Sequence, residues 1–219
     1  MLRNIKTSLA AVAVTAFTTF SLTQAANAAV TGVDLGTGAP PSSLGGYDMT
    51  AFDDDTRANF TNVTDVASPL GGSLGFSNTV SLREIGSSWA TWSHGYTGDV
   101  YFNDSSSLTL IMPAETVAFY FYAESNSFST FEFTVTELGG ESITTSILGD
   151  GGANGFGFFG TAGSLISSIT ITTESGASGF AVGEFGVATA AVPLPATALL
   201  LVGGLGAIAG TRRRKQRTN

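Results

Sequence analysis

The chain has 219 residues, no cysteine, 43% hydrophobic residues and a formal net charge of −8. All seventeen acidic residues fall between positions 29 and 191, where Arg57 and Arg83 are the only basic ones, so that stretch carries a formal −15 and no lysine. This excludes a nucleic-acid binder, which needs a basic footprint, and disfavours adsorption to an anionic membrane surface. Without disulfides the stretch must be held by its own hydrophobic core, for which it is long enough.

The N-terminus reads as a secretory signal peptide over 1–28. Arg3 and Lys6 supply a positive start, Leu9 to Leu22 an uncharged apolar and threonine-rich stretch, and Ala26-Asn27-Ala28 an A-x-A cleavage signature with the cut after Ala28. Such a signal hands the chain to the Sec export machinery.

Residues 29–191 then read as one acidic all-β domain. From 32 to 88 the signal is weak. Pro40-Pro41-Ser42-Ser43 and Ser68-Pro69-Leu70-Gly71-Gly72 break it into short pieces, and Asp54 to Ala58 suggests one helical turn. Beyond Trp89 the pattern sharpens. Strands are expected over Asp99 to Phe102, Ser107 to Met112, Thr116 to Glu124, Ser129 to Leu138, Ser142 to Leu148, Gly155 to Gly160, Leu165 to Thr173 and Gly179 to Val187. In Ser129 to Leu138, Phe131, Phe133 and Val135 alternate with Glu132, Thr134 and Thr136, which puts one face in a core and one in water. Short strands at regular spacing with Gly and Ser turns predict an antiparallel β-sandwich, jelly-roll-like first and Ig-like second.

Several motifs in this stretch bear on chemistry. Trp89, Trp92 and Tyr96, which include both tryptophans of the chain, form an aromatic cluster of the kind on which sugars stack. The same residues would serve equally to fill a sandwich core or cover its open end. Asp53, Asp54, Asp55 and Asp150 are loop carboxylates suited to a hard cation such as Ca2+, without the spacing of an EF-hand. A solvated acidic loop is the plainer reading. His94 is the only histidine, so a transition-metal site is not indicated. Gly71-Gly72-Ser73-Leu74-Gly75 matches G-x-S-x-G but has no helix-forming sequence after it, and Gly155 to Gly160 matches G-x-G-x-x-G inside a strand-like run. Neither predicts a catalytic or cofactor site.

The C-terminus, 192–219, has three parts. Val192-Pro193-Leu194-Pro195-Ala196 is a Pro motif, Ala196 to Gly210 is apolar, and Arg212, Arg213, Arg214 and Lys215 form a basic stop. The apolar part is a short transmembrane helix by the measure of about 20 residues per span, and the basic tail would stay cytoplasmic. In order and position these parts resemble the PEP-CTERM sorting signal in its VPLPA form, with Leu194 in place of the Glu of Pro-Glu-Pro. The resemblance implies a Gram-negative source and recognition by an exosortase, a membrane-embedded cysteine protease that cuts near the Pro motif and passes its substrate to the cell surface. Gly179-Phe180-Ala181-Val182-Gly183-Glu184-Phe185 is also similar to the last strand of β-sandwich domains that precede this signal, with Gly183-Glu184 where a paired Asp is common.

Together these features predict an exported protein, first membrane-anchored and then at the cell surface or in the extracellular matrix. Its domain is expected to be structural or adhesive and not an enzyme. A carbohydrate-binding module acting on exopolysaccharide through the aromatic cluster is the alternative, and a secreted glycan-active enzyme stands behind both.

Overall fold

The computed structural model describes residues 29–190. The signal peptide with Ala26 and Ala28, the motif Val192 to Ala196 and the basic stop Arg212 to Lys215 lie outside the described residues. Among the described residues no helix is long and apolar enough to cross a membrane.

The strands are β1 (Ala29–Gly36), β2 (Ser43–Leu44), β3 (Tyr47–Asp48), β4 (Thr50–Ala51), β5 (Asn62–Ala67), β6 (Ser73–Glu84), β7 (Asp99–Asn103) and β8 (Ser107–Ile111). They continue with β9 (Thr116–Ser125), β10 (Thr130–Glu137), β11 (Ser142–Leu148), β12 (Asn154–Thr161), β13 (Ser168–Thr173) and β14 (Phe180–Thr189). A single 3-10 turn at Ser175–Ala177 precedes β14. The fold is all-β, and every pairing between strands is antiparallel.

One sheet runs β1-β12-β9-β14-β7-β6-β8-β13-β10-β11, with β4 added to β14 and β5 to β6. Its two ends nearly meet, like a barrel left unzipped. At the seam the Gly32 N–H donates to the Glu141 carboxylate at 3.0 Å, and the Ile143 side chain crowds the Gly32 backbone. A carboxylate stands there in place of a ladder of strand pairing.

The long strand β6 makes the fold close. Its far half, Ser81 to Glu84, pairs with β7, while Gly75 and Phe76 pair with β8. Between these contacts Asn78 fills the gap, donating to the Ser107 carbonyl at 2.9 Å and to Asn103 Oδ1 at 3.1 Å. Inward residues of both halves of the sheet form one core. Phe119, Phe121, Phe156, Phe158, Phe180 and Val182 meet Leu74, Leu108, Leu110, Phe133, Val135, Ile169 and Ile171. Phe133 of β10 and Phe180 of β14 touch edge to face across it, 5.6 Å between ring centroids.

Strand β9 is buried along its whole length. Its inner residues Phe119, Phe121 and Ala123 join the main core. Its outer residues Ala118, Tyr120 and Tyr122 form a second cluster with Leu44, Ala153 and Ala188, against which Leu35, Tyr47 and Trp92 pack. A strand covered on both faces needs no alternation, which is why residues 117–123 are apolar without a break. What covers the outer face is the β2–β3 excursion and the loop 85–98.

The expected helical turn at Asp54 to Ala58 is not there. Asp55 instead accepts from the Arg57 backbone N–H at 3.0 Å, a side-chain turn that competes with helix. The strands anticipated beyond Trp89 all appear, within a few residues of their expected ends; β5, β6 and most of β1 lie in 32–88, where the sequence signal is weak.

Candidate functional site

The outer face of β9 and β14 carries two carboxylates. Glu124 closes the apolar run of β9 and is wholly buried. Glu184 sits in β14 where the register slips between Gly183 and Gly186, and it adopts a left-handed backbone, φ +53°. That bulge puts Phe185 into the inner core and leaves the Glu184 side chain on the outer face with loop 85–98. Gly186 has no room for a side chain, because the Tyr120 ring end lies where a Cβ would be.

Loop 85–98 is tied to both carboxylates. The Trp89 indole N–H donates to Glu124 Oε2 at 2.7 Å, and the Thr91 hydroxyl donates to Glu124 Oε1 at 2.7 Å. Three residues on, the Trp92 indole N–H donates to Glu184 Oε2 at 3.0 Å, and His94 Nε2 lies 2.7 Å from Glu184 Oε1. His94 Nδ1 is 3.3 Å from the Thr37 carbonyl. His94 and Gly95 both have positive φ, +41° and +82°, and the reversal they make aims the imidazole inward. Ser93 donates to the Ala153 carbonyl, and Gly152, at φ +94°, gives the backbone of Trp92 and Ser93 a close approach that a side chain would block.

Burial raises the pKa of Glu124, against the opposing effect of the Trp89, Thr91 and Gly152 donors. Burial likewise raises Glu184, opposed by His94 and Trp92. Both carboxylates are therefore costly to keep ionised, and the loop supplies the donors that offset this cost.

The structure divides the predicted aromatic cluster. Trp92 and Tyr96 are neighbours, 6.2 Å between centroids, whereas Trp89 packs on Phe102 at 5.7 Å. All three are half-buried and their polar atoms are engaged, the Tyr96 hydroxyl donating to the Asp99 carbonyl at 3.0 Å. They cover the sheet and do not make one open shelf. Trp89 instead shares a hollow of about 170 Å³ with the exposed Phe128, Asn126 and Ser88.

The acidic residues are divided as well. Asp55 is held by Arg57, with Nη2 2.5 Å from Oδ2, and accepts from the Tyr101 hydroxyl at 3.1 Å. The Arg57 hydrogen bonds hold its carboxyl below the usual aspartate range. Asp53 and Asp54 are exposed at the rim of a hollow whose wall includes Asp99 and Glu184. Asp150 lies in the turn between β11 and β12, on the Glu124 side, and lines none of the hollows around Asp53 to Asp55. Among the described residues no three His, Cys, Asp or Glu side chains are arranged to hold a metal ion. The two glycine motifs fold as backbone structure: Gly71 and Gly72 turn the chain into β6, and Gly155 to Gly160 lie inside β12 between β1 and β9.

Sequence reasoning did not single out Glu124, or Tyr120 and Asp99, and met Glu184 only as a departure from a paired Asp. The available signal was a lone carboxylate inside an otherwise apolar strand, which folding tolerates only where donors await it. No family model matches the chain, and no curated protein matches it.

Proposed function

We propose that the chain is an exported surface or extracellular-matrix protein, sorted by an exosortase, whose acidic domain works by presenting a fixed, non-catalytic surface. The observation that carries the domain half of this reading is the clasp of loop 85–98. Its tryptophans, threonine and histidine are spent on holding the loop to Glu124 and Glu184. Groups used in this way shape a surface; they are not left free to turn over a substrate. The targeting half rests on the signal peptide before Ala29 and the Pro motif, apolar segment and basic stop after Ala191. We read the folded sheet as a jelly-roll-like sandwich whose two layers share β6.

Intact mass of the protein recovered from its native cell surface tests the targeting half. A species beginning at Ala29 and ending near Pro195 supports it. One that retains Arg212 to Asn219 would make the protein an uncut membrane-tethered domain.

A second reading is carbohydrate binding, favoured by the exposed Phe128 ring beside Trp89 with amide and hydroxyl groups around them. It places the platform on Trp89 and Phe128 in preference to Trp92 and Tyr96. A glycan array with Phe128→Ala tests it: loss of a bound glycan with the fold intact supports the reading, and no glycan bound by the parent chain rejects it.

A further inference from the structure

The two arginines of the domain are used differently. Arg57 is spent on Asp55 and Asp65. Arg83, half-buried on the outer face of β6, has no side-chain hydrogen bond or ion pair among the described residues, although seventeen acidic residues share the domain with it. Its Nε is the one buried side-chain nitrogen or oxygen without a partner among the described residues. The two Nη nitrogens are not buried, so that edge of the guanidinium faces out of the chain. A buried polar atom left unpaired is rare enough in a folded protein to call for an explanation.

Aromatic rings hold this guanidinium in place. Its central carbon lies 4.3 Å from the Phe60 ring centroid and 5.6 Å from that of Phe102. A planar, weakly hydrated cation suits such stacking. Phe60 takes a left-handed backbone, φ +68°, and keeps 61% of its surface exposed. Both features are unfavourable for a bulky apolar residue, and the neighbouring bonds impose them. The Phe60 N–H donates to the Leu82 carbonyl at 2.8 Å, and the Ser88 hydroxyl donates to Asn59 Oδ1 at 2.7 Å, which ties the Phe60 turn to loop 85–98. On the far side, Phe102 carries Trp89 at 5.7 Å, and Trp89 lines the hollow that it shares with Phe128. Arg83 and the Trp89–Phe128 platform therefore rest on one ring.

We propose that Arg83 is the anion subsite of that platform and takes the carboxylate of a single uronic acid within an otherwise neutral glycan. The proposal rests on the carbohydrate reading given above and adds the class of glycan to it. A carboxylate meets the two outward Nη groups with one oxygen each, a planar match that a lysine could not make. The arginine is already fixed between rings, so binding orders no long side chain. The remaining charge of the domain sets how many acids the glycan carries. A formal −15 repels a chain with a carboxylate on every sugar. One carboxylate among neutral sugars pairs with Arg83 and leaves the flat sugar faces to Trp89 and Phe128.

The test is a glycan array probed with the full chain in mild detergent. It carries oligosaccharides with one glucuronic or galacturonic acid, each beside its carboxyl-reduced neutral counterpart, together with fragments of polygalacturonate. The best pair is then titrated by calorimetry. The acidic member should bind about tenfold or more tightly than its reduced counterpart, as expected for a charge-assisted bidentate contact, and more tightly than polygalacturonate. Arg83→Gln should bring the acidic member down to the level of the neutral one. Arg83→Lys, which keeps the charge and stem without the fork, should lose part of the preference and keeps the test decisive if Arg83→Gln disturbs the fold. Phe128→Ala should weaken both members of the pair. Equal binding within every pair, or a preference that survives both Arg83 substitutions, would overturn the subsite and leave the carbohydrate reading standing. No glycan bound by the parent chain would overturn both.

Discussion

The inside and the outside of the β9–β14 pair are built on different principles. On the inside, Phe119, Phe121, Phe180 and Val182 meet apolar residues from the opposite half of the sheet, and burial of hydrocarbon is the whole of the interaction. On the outside, the cover is a loop of mixed composition. It is held by two buried carboxylates, each with an indole N–H and a second donor. The inner face is non-directional and tolerates changes of shape at fixed volume. The outer face is directional: each donor has one acceptor, and removal of either leaves a buried polar group bare. The contrast explains how a domain without disulfides fixes a loop of fourteen residues, 85–98, that has little regular structure of its own.

Breaking the inner face should cost most. Phe133 is fully buried and bridges the two halves of the sheet through Phe180, so Phe133→Ala should lower stability by about 3–5 kcal/mol and unfold the domain as a unit. Chemical denaturation followed by circular dichroism checks this; a loss below about 1 kcal/mol would mean that the halves are not one core.

Breaking the outer face should cost less and act locally. Glu124→Ala strips acceptors from Trp89, Thr91 and Gly152 at once and should cost about 2–3 kcal/mol, with relief of carboxylate burial offsetting part of the loss. Amide hydrogen exchange should rise in 85–98 and stay low in β10 and β13. Uniform exchange across both regions would erase the distinction. Trp92→Phe keeps an aromatic ring and removes one donor to Glu184, so a smaller loss of about 1–2 kcal/mol is expected in the same denaturation experiment.

The gentlest probe is pH. Burial raises Glu124 and Glu184 above the ordinary glutamate value of 4.5, so the folded chain binds these protons more tightly than the unfolded chain. Their contribution to stability therefore falls as pH rises from 4.5 through their raised values, and returns as pH is lowered. Asp55 is lowered from 3.8, mainly by the Arg57 hydrogen bonds, and its contribution is present above 3.8 and lost below it. The thermal midpoint should climb on acidification from neutral pH towards 4.5 and drop below 3.8. A midpoint that falls steadily from neutral pH downward would show that the glutamates are not buried as acids.

The same contrast governs what could be read from the sequence. The inner face was legible from Trp89 onward because Phe131, Phe133 and Val135 alternate with polar residues, and alternation is a local property. Strand β6 was missed although Leu74, Phe76, Val80 and Leu82 keep the same period. Asn78 interrupts the inward series between Phe76 and Val80, where the strand changes partners, and serves a long-range purpose there. Strand β1 was missed because it lies at the seam, half-exposed throughout most of its length. The clasp was not legible. Trp89 and Trp92 were visible as an aromatic cluster, but their acceptors lie 35 and 92 residues further along the chain, on two different strands. No local pattern encodes a partner at such a distance. The glutamates were visible only as single charges out of place.

The chain's two tryptophans make the central claim directly measurable. In a 15N-labelled sample the two indole N–H signals report the two clasps separately. Both should exchange slowly with solvent; Glu124→Gln should shift and speed the Trp89 signal alone, and Glu184→Gln the Trp92 signal alone. Two indole protons that exchange as fast as those of an unfolded peptide, or that ignore both substitutions, would contradict the account of loop 85–98 as a cover held by buried carboxylates.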